Sequence, residues 1–181
     1  MTGDVFQFGS TPFYFLRHGE TNDSELGIVQ GQNESVLNDG GRLTAWKAAR
    51  ILSPIHLRSI YSSPLRRAWE TACIISRATA IPVTPLTGLM ERNWGEYQGK
   101  SRDSRPGLRD PDGVETTDLF WSRVLAAMQS ISGPSPVLVV AHSGVFRLLC
   151  NHAGLTVGQN TAVANGLVYN FDPSRGRRQQ W

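Results

Sequence analysis

Val137-Leu138-Val139-Val140-Ala141 is apolar at every position, with Pro136 before it and His142 after it. A strand with one wet face would alternate polar and apolar residues. An unbroken apolar run needs cover on both faces, which is the environment of a parallel strand inside an α/β sheet. The run Phe13-Tyr14-Phe15-Leu16 has the same character and leads into Arg17-His18-Gly19-Glu20-Thr21. Each run thus delivers a histidine at its carboxyl end. Ligands of open α/β sheets collect beyond those ends, so His18 and His142, far apart in sequence, are expected at one sheet edge.

Elsewhere the pattern shifts to helical spacing. Residues 40–53 place Leu43, Trp46, Ala49, Arg50 and Leu52 at helical intervals and stop at Pro54. Residues 58–61 predict a short strand. Ser62-Ser63-Pro64 predicts a helix start with a serine cap and proline at the first position. That helix is expected to give way near Ala80 to a strand at residues 81–84. Residues 95–113 are crowded with Gly, Pro, Asp and Arg and read as a surface loop. Helices are expected at 116–131 and 145–153. Residues 161–164 and 167–171 flank Asn165-Gly166, a hairpin signal, and the basic tail from Arg175 reads as solvated. Strands alternating with helices predict one α/β domain over residues 1–181. Its sheet would be mostly parallel and covered on both faces, with an antiparallel hairpin at the C-terminus. Arg17, His18, Arg67, Glu91 and His142 then fall at or just beyond strand ends.

The 18 basic and 15 acidic side chains leave a net charge of +3, too small and scattered to point to nucleic acid. Only Lys47 and Lys100 are lysines; the rest are arginines, whose planar fork suits phosphate and carboxylate. Cys73 and Cys150 have no metal-ligand spacing and no disulfide framework, and read as core thiols. The first ten residues lack a basic start and a long apolar stretch, and no later run reaches membrane length. A cytoplasmic protein without a membrane partner is expected. Gly95 to Ser101 resembles a P-loop but has three residues between its glycines instead of four, which removes it as a nucleotide cradle. No compact metal signature surrounds the histidines, so neither metal nor cofactor is expected.

A lone histidine after a strand is ordinarily structural. Arg17 beside His18, with a second histidine at the same edge, turns the reading toward a phosphate site. Adjacent strand residues face opposite ways, so both reach one ligand only if the backbone turns at His18, a turn that Gly19 would ease. Of Arg66 and Arg67, one is expected to point to water. Arg67 is taken as the other, at a helix N-terminus where backbone N–H groups favour anions.

Four motifs occur in order: Arg17-His18-Gly19-Glu20-Thr21, Ser63-Pro64-Leu65-Arg66-Arg67-Ala68 with Thr71-Ala72, Leu89-Met90-Glu91-Arg92 leading to Gly95 and Gly99, and Ala141-His142-Ser143-Gly144. Together they resemble the histidine phosphatase superfamily and its phosphoglycerate mutase-like family. The likeness spans about residues 13–171, and Gly31-Gln32 to Leu37 with Gly41 resembles the family's segment before its first helix. The resemblance implies a three-layer α/β/α sandwich and a function as a metal-independent phosphomonoesterase acting through a phosphohistidine. His18 would be the nucleophile, Arg17 and Arg67 would hold phosphoryl oxygens, His142 would complete the pocket, and Glu91 would be the proton donor. Thr21, Ser24, Gln30, Gly31 and Ser143 would line the substrate side. A neutral imidazole can attack phosphorus in line while guanidinium donors balance the charge of a loose transition state. The same guanidiniums would keep His18 unprotonated, while Glu91 must be protonated to serve a departing alkoxide.

Asp23-Ser24 stands where the family often has Trp-Asn, exchanging an amide contact for a shorter hydroxyl. Trp94 stands where phosphoglycerate mutases usually have tyrosine, and Val114-Glu115-Thr116 replaces a common Gly-Glu-Ser segment. The interval between the glutamate motif and the second histidine is shorter than in those mutases. A shorter cover admits water, which favours hydrolysis of a phosphoenzyme over return of the phosphoryl group. The partner is then a small phosphorylated substrate, with Arg102, Arg105 and Arg109 as candidates for a second anionic group. Mutase-type transfer is the nearest alternative, and a non-catalytic phosphate-binding module is a third.

Overall fold

The apolar runs become the middle of one sheet. The computed structural model describes residues 5–106, 110–154, 163–173 and 177–180. Strand β1 (Phe13–Arg17) pairs in parallel with β4 (Val137–Ala141), which pairs in parallel with β2 (Ser59–Ser62), and β2 with β3 (Val83–Pro85). On the other side, β5 (Val168–Asp172) runs antiparallel to β1, and β6 (Arg177–Gln180) antiparallel to β5. The order is β3-β2-β4-β1-β5-β6. All five residues of β4, the strand flanked by β2 and β1, are buried.

Among the described residues five α-helices accompany the sheet: α1 (Asn22–Glu25), α2 (Asp39–Leu52), α3 (Arg66–Thr79), α4 (Thr117–Gln129) and α5 (Ser143–His152). Alternate strand residues face opposite ways, which sorts the core into two layers. Leu16, Ile60, Leu138, Val140 and Val168 pack with Ala48, Ala49 and Leu52 of α2 and with Ala68, Ala72 and Ile75 of α3. Phe15, Val137, Val139 and Phe171 pack with Phe120 and Val124 of α4 and with Phe146 and Leu149 of α5. The result is a three-layer α/β/α sandwich. Each fully buried aliphatic or aromatic side chain contributes about 1.5–3 kcal/mol relative to exposure, so both layers are needed to hold β4 in place.

Several local expectations shift. Helix α3 starts at Arg66, not at Pro64, and Leu65 caps it without a side-chain bond. The Ser63 hydroxyl expected to cap it lies instead 2.8 Å from His142 Nε2. Helix α5 begins at Ser143, two residues early, because His142 itself is its N-cap. Asn165-Gly166 is a turn, with Gly166 at φ 71, but residues 163–164 form no strand; residues 161–162 lie outside the described chain. The antiparallel hairpin is β5 with β6, and residues expected to be a solvated tail form its outer strand. A polar Arg-Arg-Gln-Gln strand suits a sheet edge, where unpaired backbone must be kept from other chains. Among the described residues no helix is long and apolar enough to cross a membrane. Neither cysteine is in a disulfide, and Cys73, expected in the core, is partly exposed.

Gly19 serves for a reason other than a left-handed turn: its φ is not positive. A Cβ there would lie 2.4 Å from the Gly41 carbonyl oxygen, and one on Gly41 would lie 2.1 Å from the Glu20 carbonyl oxygen. The first turn of α2 therefore presses directly on the backbone that follows β1.

Candidate active site

In the sheet register, Arg17 lies opposite Ala141 and Ser62 opposite Val140, so β1, β4 and β2 end level with one another. The chain leaves β1 at His18, whose N–H still donates to the Ala141 carbonyl at 3.0 Å. The residue is 3% exposed. His18 Nδ1 lies 2.7 Å from the Gly19 carbonyl oxygen. A carbonyl only accepts, so the ring proton sits on Nδ1 and the Nε2 lone pair is available. Burial, then Arg67 and Arg17, drive the His18 pKa well below the usual imidazole value. The ring is thus neutral at pH 7.

His142, fully buried, stands beside it with ring centroids 5.2 Å apart. Ser63 Oγ accepts from the Leu65 N–H and meets His142 Nε2 at 2.8 Å. Donation of the hydroxyl proton to Nε2 satisfies both groups and leaves the His142 ring proton on Nδ1, which is buried and has no partner. Burial, followed by Arg67, His18 and Arg17, also holds His142 well below its ordinary pKa.

Arg67 is 1% exposed, and its guanidinium donates to the Asn33 carbonyl at 2.9 Å and the Gly31 carbonyl at 2.7 Å. Arg17 donates to the Val163 carbonyl. Neither forms an ion pair with a described carboxylate, and the Nε atoms of both are buried without partners. Desolvation pulls both pKa values down to about 10, partly opposed by the attraction of Glu91. The charges survive at neutral pH without a direct ion-pair partner among the described residues. Of the five buried side-chain polar atoms without partners among the described residues, three belong to Arg17, Arg67 and His142. Orphaned buried donors cost about 1–3 kcal/mol each, and three on neighbouring cationic or polar side chains mark a place for an anion.

Glu91 follows the short turn Thr87–Leu89. Its Oε1 accepts from the Arg92 N–H at 2.9 Å, and Oε2 accepts from the Gly144 N–H at 2.9 Å and the Ser143 hydroxyl at 3.4 Å. The junction of β4 and α5 therefore supplies His142 and also the groups that hold Glu91. A Cβ on Gly144 would stand 2.1 Å from Glu91 Oε1, so glycine is what lets the carboxylate sit there.

A family model described as the histidine phosphatase superfamily (branch 1) matches residues 13–179. The chain belongs to the histidine phosphatase superfamily. It is 34% identical over 176 residues to phosphoglycerate mutase-like protein 4 of Arabidopsis thaliana, covering 86% of this chain and 76% of that one. It is 32% identical over 194 residues to the metal-independent phosphoserine phosphatase of the same plant, covering 94% of this chain and 79% of the relative. The solved structure of Bacillus stearothermophilus YhfR superimposes with a TM-score of 0.80 at 27% identity, over 89% of this chain and 90% of that one.

Within this member of the superfamily, Arg17, His18, Arg67, Glu91 and His142 gather at one sheet edge, while the residues expected on the substrate side divide. Gly31, at φ 51, turns its carbonyl onto Arg67, and Ser143 touches Glu91. Gln30 accepts from the Ser35 hydroxyl at 2.6 Å. Thr21 is the buried N-cap of α1 and forms a reciprocal capping box with Ser24. The Ser24 hydroxyl accepts from the Thr21 N–H and donates to the Thr21 carbonyl, both at 2.9 Å, so it is turned to its own backbone. Arg109 lies outside the described residues.

Three supports escaped the sequence reading. Asn165, taken as a hairpin residue, donates from its amide to the His18 carbonyl at 2.9 Å and the Gly19 carbonyl at 3.2 Å. Arg123 of α4 donates to the carbonyls of Gly88, Met90 and Glu91 at 2.9, 2.7 and 2.9 Å. Glu115 in turn fixes Arg123 at 2.5 and 2.9 Å. Burial alone would push the Glu115 carboxyl up, but bonds from Arg123 and the Asn93 N–H and the charges of Arg123 and Arg92 bring it below its ordinary value. The available signal was an arginine and a glutamate set among the apolar residues of a helix and its cap.

Proposed function

We propose that this chain is a metal-independent phosphomonoesterase that works through a phosphohistidine and acts on a small phosphate ester. The observation carrying the reading is the set of unpartnered buried donors on Arg17, Arg67 and His142 beside an imidazole whose Nε2 is free. In the first step the Nε2 lone pair forms an N–P bond as the P–O bond to the alcohol breaks. The two guanidiniums and His142 Nδ1–H hold the non-bridging oxygens, and Glu91 gives its proton to the departing oxygen. In the second step Glu91 takes a proton from water, the water oxygen bonds to phosphorus, and the N–P bond breaks to release inorganic phosphate. The phosphoryl charge is met by guanidiniums, so the protein's own cations supply the stabilisation that such sites require. The phosphatase name of the Arabidopsis relative supports hydrolysis. Two cysteines held outside any disulfide fit a reducing compartment, and we place the activity in the cytoplasm.

The test is a panel of phosphate esters assayed with chelator present. Phosphate release, an acid-labile phosphoprotein trapped by rapid quench, and loss of both in His18→Ala are expected. Interconversion of 2- and 3-phosphoglycerate without phosphate release would replace the hydrolase with a mutase. Tight phosphate binding with no turnover of any ester would leave only a binding module.

A further inference from the structure

The turn before β5 meets the end of β1 more closely than a connection needs to. Strand β5 enters the sheet with Val168 opposite Leu16, which brings residues 163–166 against Arg17, His18 and Gly19. The Val163 carbonyl accepts from the Arg17 guanidinium, and the Gly166 N–H donates to the Arg17 carbonyl at 3.2 Å. On its other side the turn rests on α2, where a Cβ on Gly166 would lie 2.8 Å from Thr44 Cβ. From this wedged turn the Asn165 side chain reaches the backbone of His18. Its amide bridges two successive carbonyls, of His18 at 2.9 Å and of Gly19 at 3.2 Å. Both partners only accept, so it is the amide nitrogen that faces them.

The Gly19 carbonyl is also the oxygen that takes the His18 ring proton. Gly19 is held at its other end as well: its N–H donates to Thr71 Oγ1 at 3.0 Å, and that hydroxyl donates to the Arg67 carbonyl at 2.8 Å. The place of the Gly19 oxygen decides which ring nitrogen carries the proton. With the oxygen fixed, the proton stays on Nδ1. Were it to swing away, the proton would be shared between the two nitrogens, and a protonated Nε2 has no lone pair to offer phosphorus. Histidines that bind metals give the scale of such contacts, since loss of the group that orients the ring costs about 10–100-fold.

We propose that Asn165 is a positioning residue for His18, holding the Gly19 carbonyl where it keeps the ring proton on Nδ1 and the attacking lone pair on Nε2. It acts through Gly19 and not on the phosphoryl group. The inference rests on reading His18 as the nucleophile.

Asn165→Ala and Asn165→Asp in the full chain are the test. Aspartate keeps the shape but turns a carboxylate oxygen toward the two carbonyls, so it should lose at least as much as alanine. Either substitution should slow phosphoenzyme formation, read by rapid quench, about 10–100-fold. The affinity for inorganic phosphate as a competitive inhibitor should stay within about threefold, because Val163 and Gly166 hold Arg17 through backbone groups that both substitutions retain. Nitrogen-15 spectra of the resting protein at pH 7.5, with His18→Gln locating the His18 signals, should place the ring proton on Nδ1 in the wild type and share it with Nε2 in both variants. Should either variant not fold, Asn165→Ser, whose shorter donor cannot span both carbonyls, replaces it. An unchanged ring tautomer in the folded variants, or a rate that falls only in step with phosphate affinity, overturns the proposal and makes Asn165 a structural contact. Failure of the phosphatase reading is distinct: the wild-type chain would release no phosphate from any ester, while the ring proton would still leave Nδ1 in the variants.

Discussion

Gly144→Ala separates the geometry of Glu91 from the stability of the fold. The added methyl would stand 2.1 Å from Oε1, against an ordinary contact distance of at least 3.4 Å, so the carboxylate must retreat by about 1.3 Å. What it meets is the tip of a flexible side chain rather than backbone. The loss of a hydrogen bond from the Gly144 N–H costs about 1 kcal/mol, and replacing a helical glycine with alanine returns about 0.5–1 kcal/mol. The fold should therefore be nearly unaffected. Chemistry should suffer more, because a misplacement of about 1 Å costs roughly a hundredfold and a positioned proton donor contributes about 10²–10⁴. We expect the rate of phosphoenzyme formation to fall about a hundredfold for alkyl phosphates, whose alkoxides need the proton. For p-nitrophenyl phosphate, whose leaving group departs as the anion, it should fall no more than about fivefold. Rapid-quench measurement of that first step is the assay, because in the proposed reaction Glu91 also serves hydrolysis and steady-state rates would mix the two. Equal losses for alkyl and aryl esters, or a lowered melting temperature with no dependence on leaving group, would refute the placement of Glu91 as proton donor.

Stability should depend on pH through His18 and His142. Both have folded pKa values well below 6.5, so at acid pH the unfolded chain binds protons that the folded chain refuses. Stability is then complete above about pH 6.5 and falls as pH drops below it, by up to about 1.4 kcal/mol per pH unit for each histidine. Denaturant titrations from pH 7.5 to 5 should show the slope, and a His18→Asn/His142→Asn variant should flatten it; an unchanged slope would dismiss these rings as its source. Arg123→Met removes the grip on three carbonyls and leaves Glu115 only the Asn93 N–H, so the unfolding free energy should fall by about 2–4 kcal/mol. Its remaining activity should decline more for alkyl than for aryl esters, and a uniform decline would make Arg123 merely structural.

Strands β1 and β4 were legible because burial on both faces leaves an apolar run that no surface strand tolerates, whereas the polar β6 read as a tail. The two histidines were legible for the same reason, since each directly follows such a run. What the sequence could not display was competition for side chains. Ser63 looked like a helix cap because its partner His142 is distant in sequence, and Ser24 was taken as a ligand contact from the family's pattern at that position, whereas its hydroxyl bonds to its own local backbone. Asn165-Gly166 reads as a hairpin turn by any local rule, yet Val163 and Asn165 are engaged with Arg17, His18 and Gly19. Gly19 and Gly144 likewise owe their identity to neighbours from other elements, which no single window of sequence contains.

The hydrogen bond from His18 Nδ1 to the carbonyl of Gly19 reaches beyond choosing a tautomer. A phosphoryl group on Nε2 leaves the imidazole carrying positive charge, and the ring's proton faces an uncharged peptide oxygen instead of an acid that would soothe it. Guanidiniums nearby and scarce solvent add to the discomfort. Such an adduct is primed to break, so the covalent state should be fleeting, with imidazole among the easiest groups in the protein to expel.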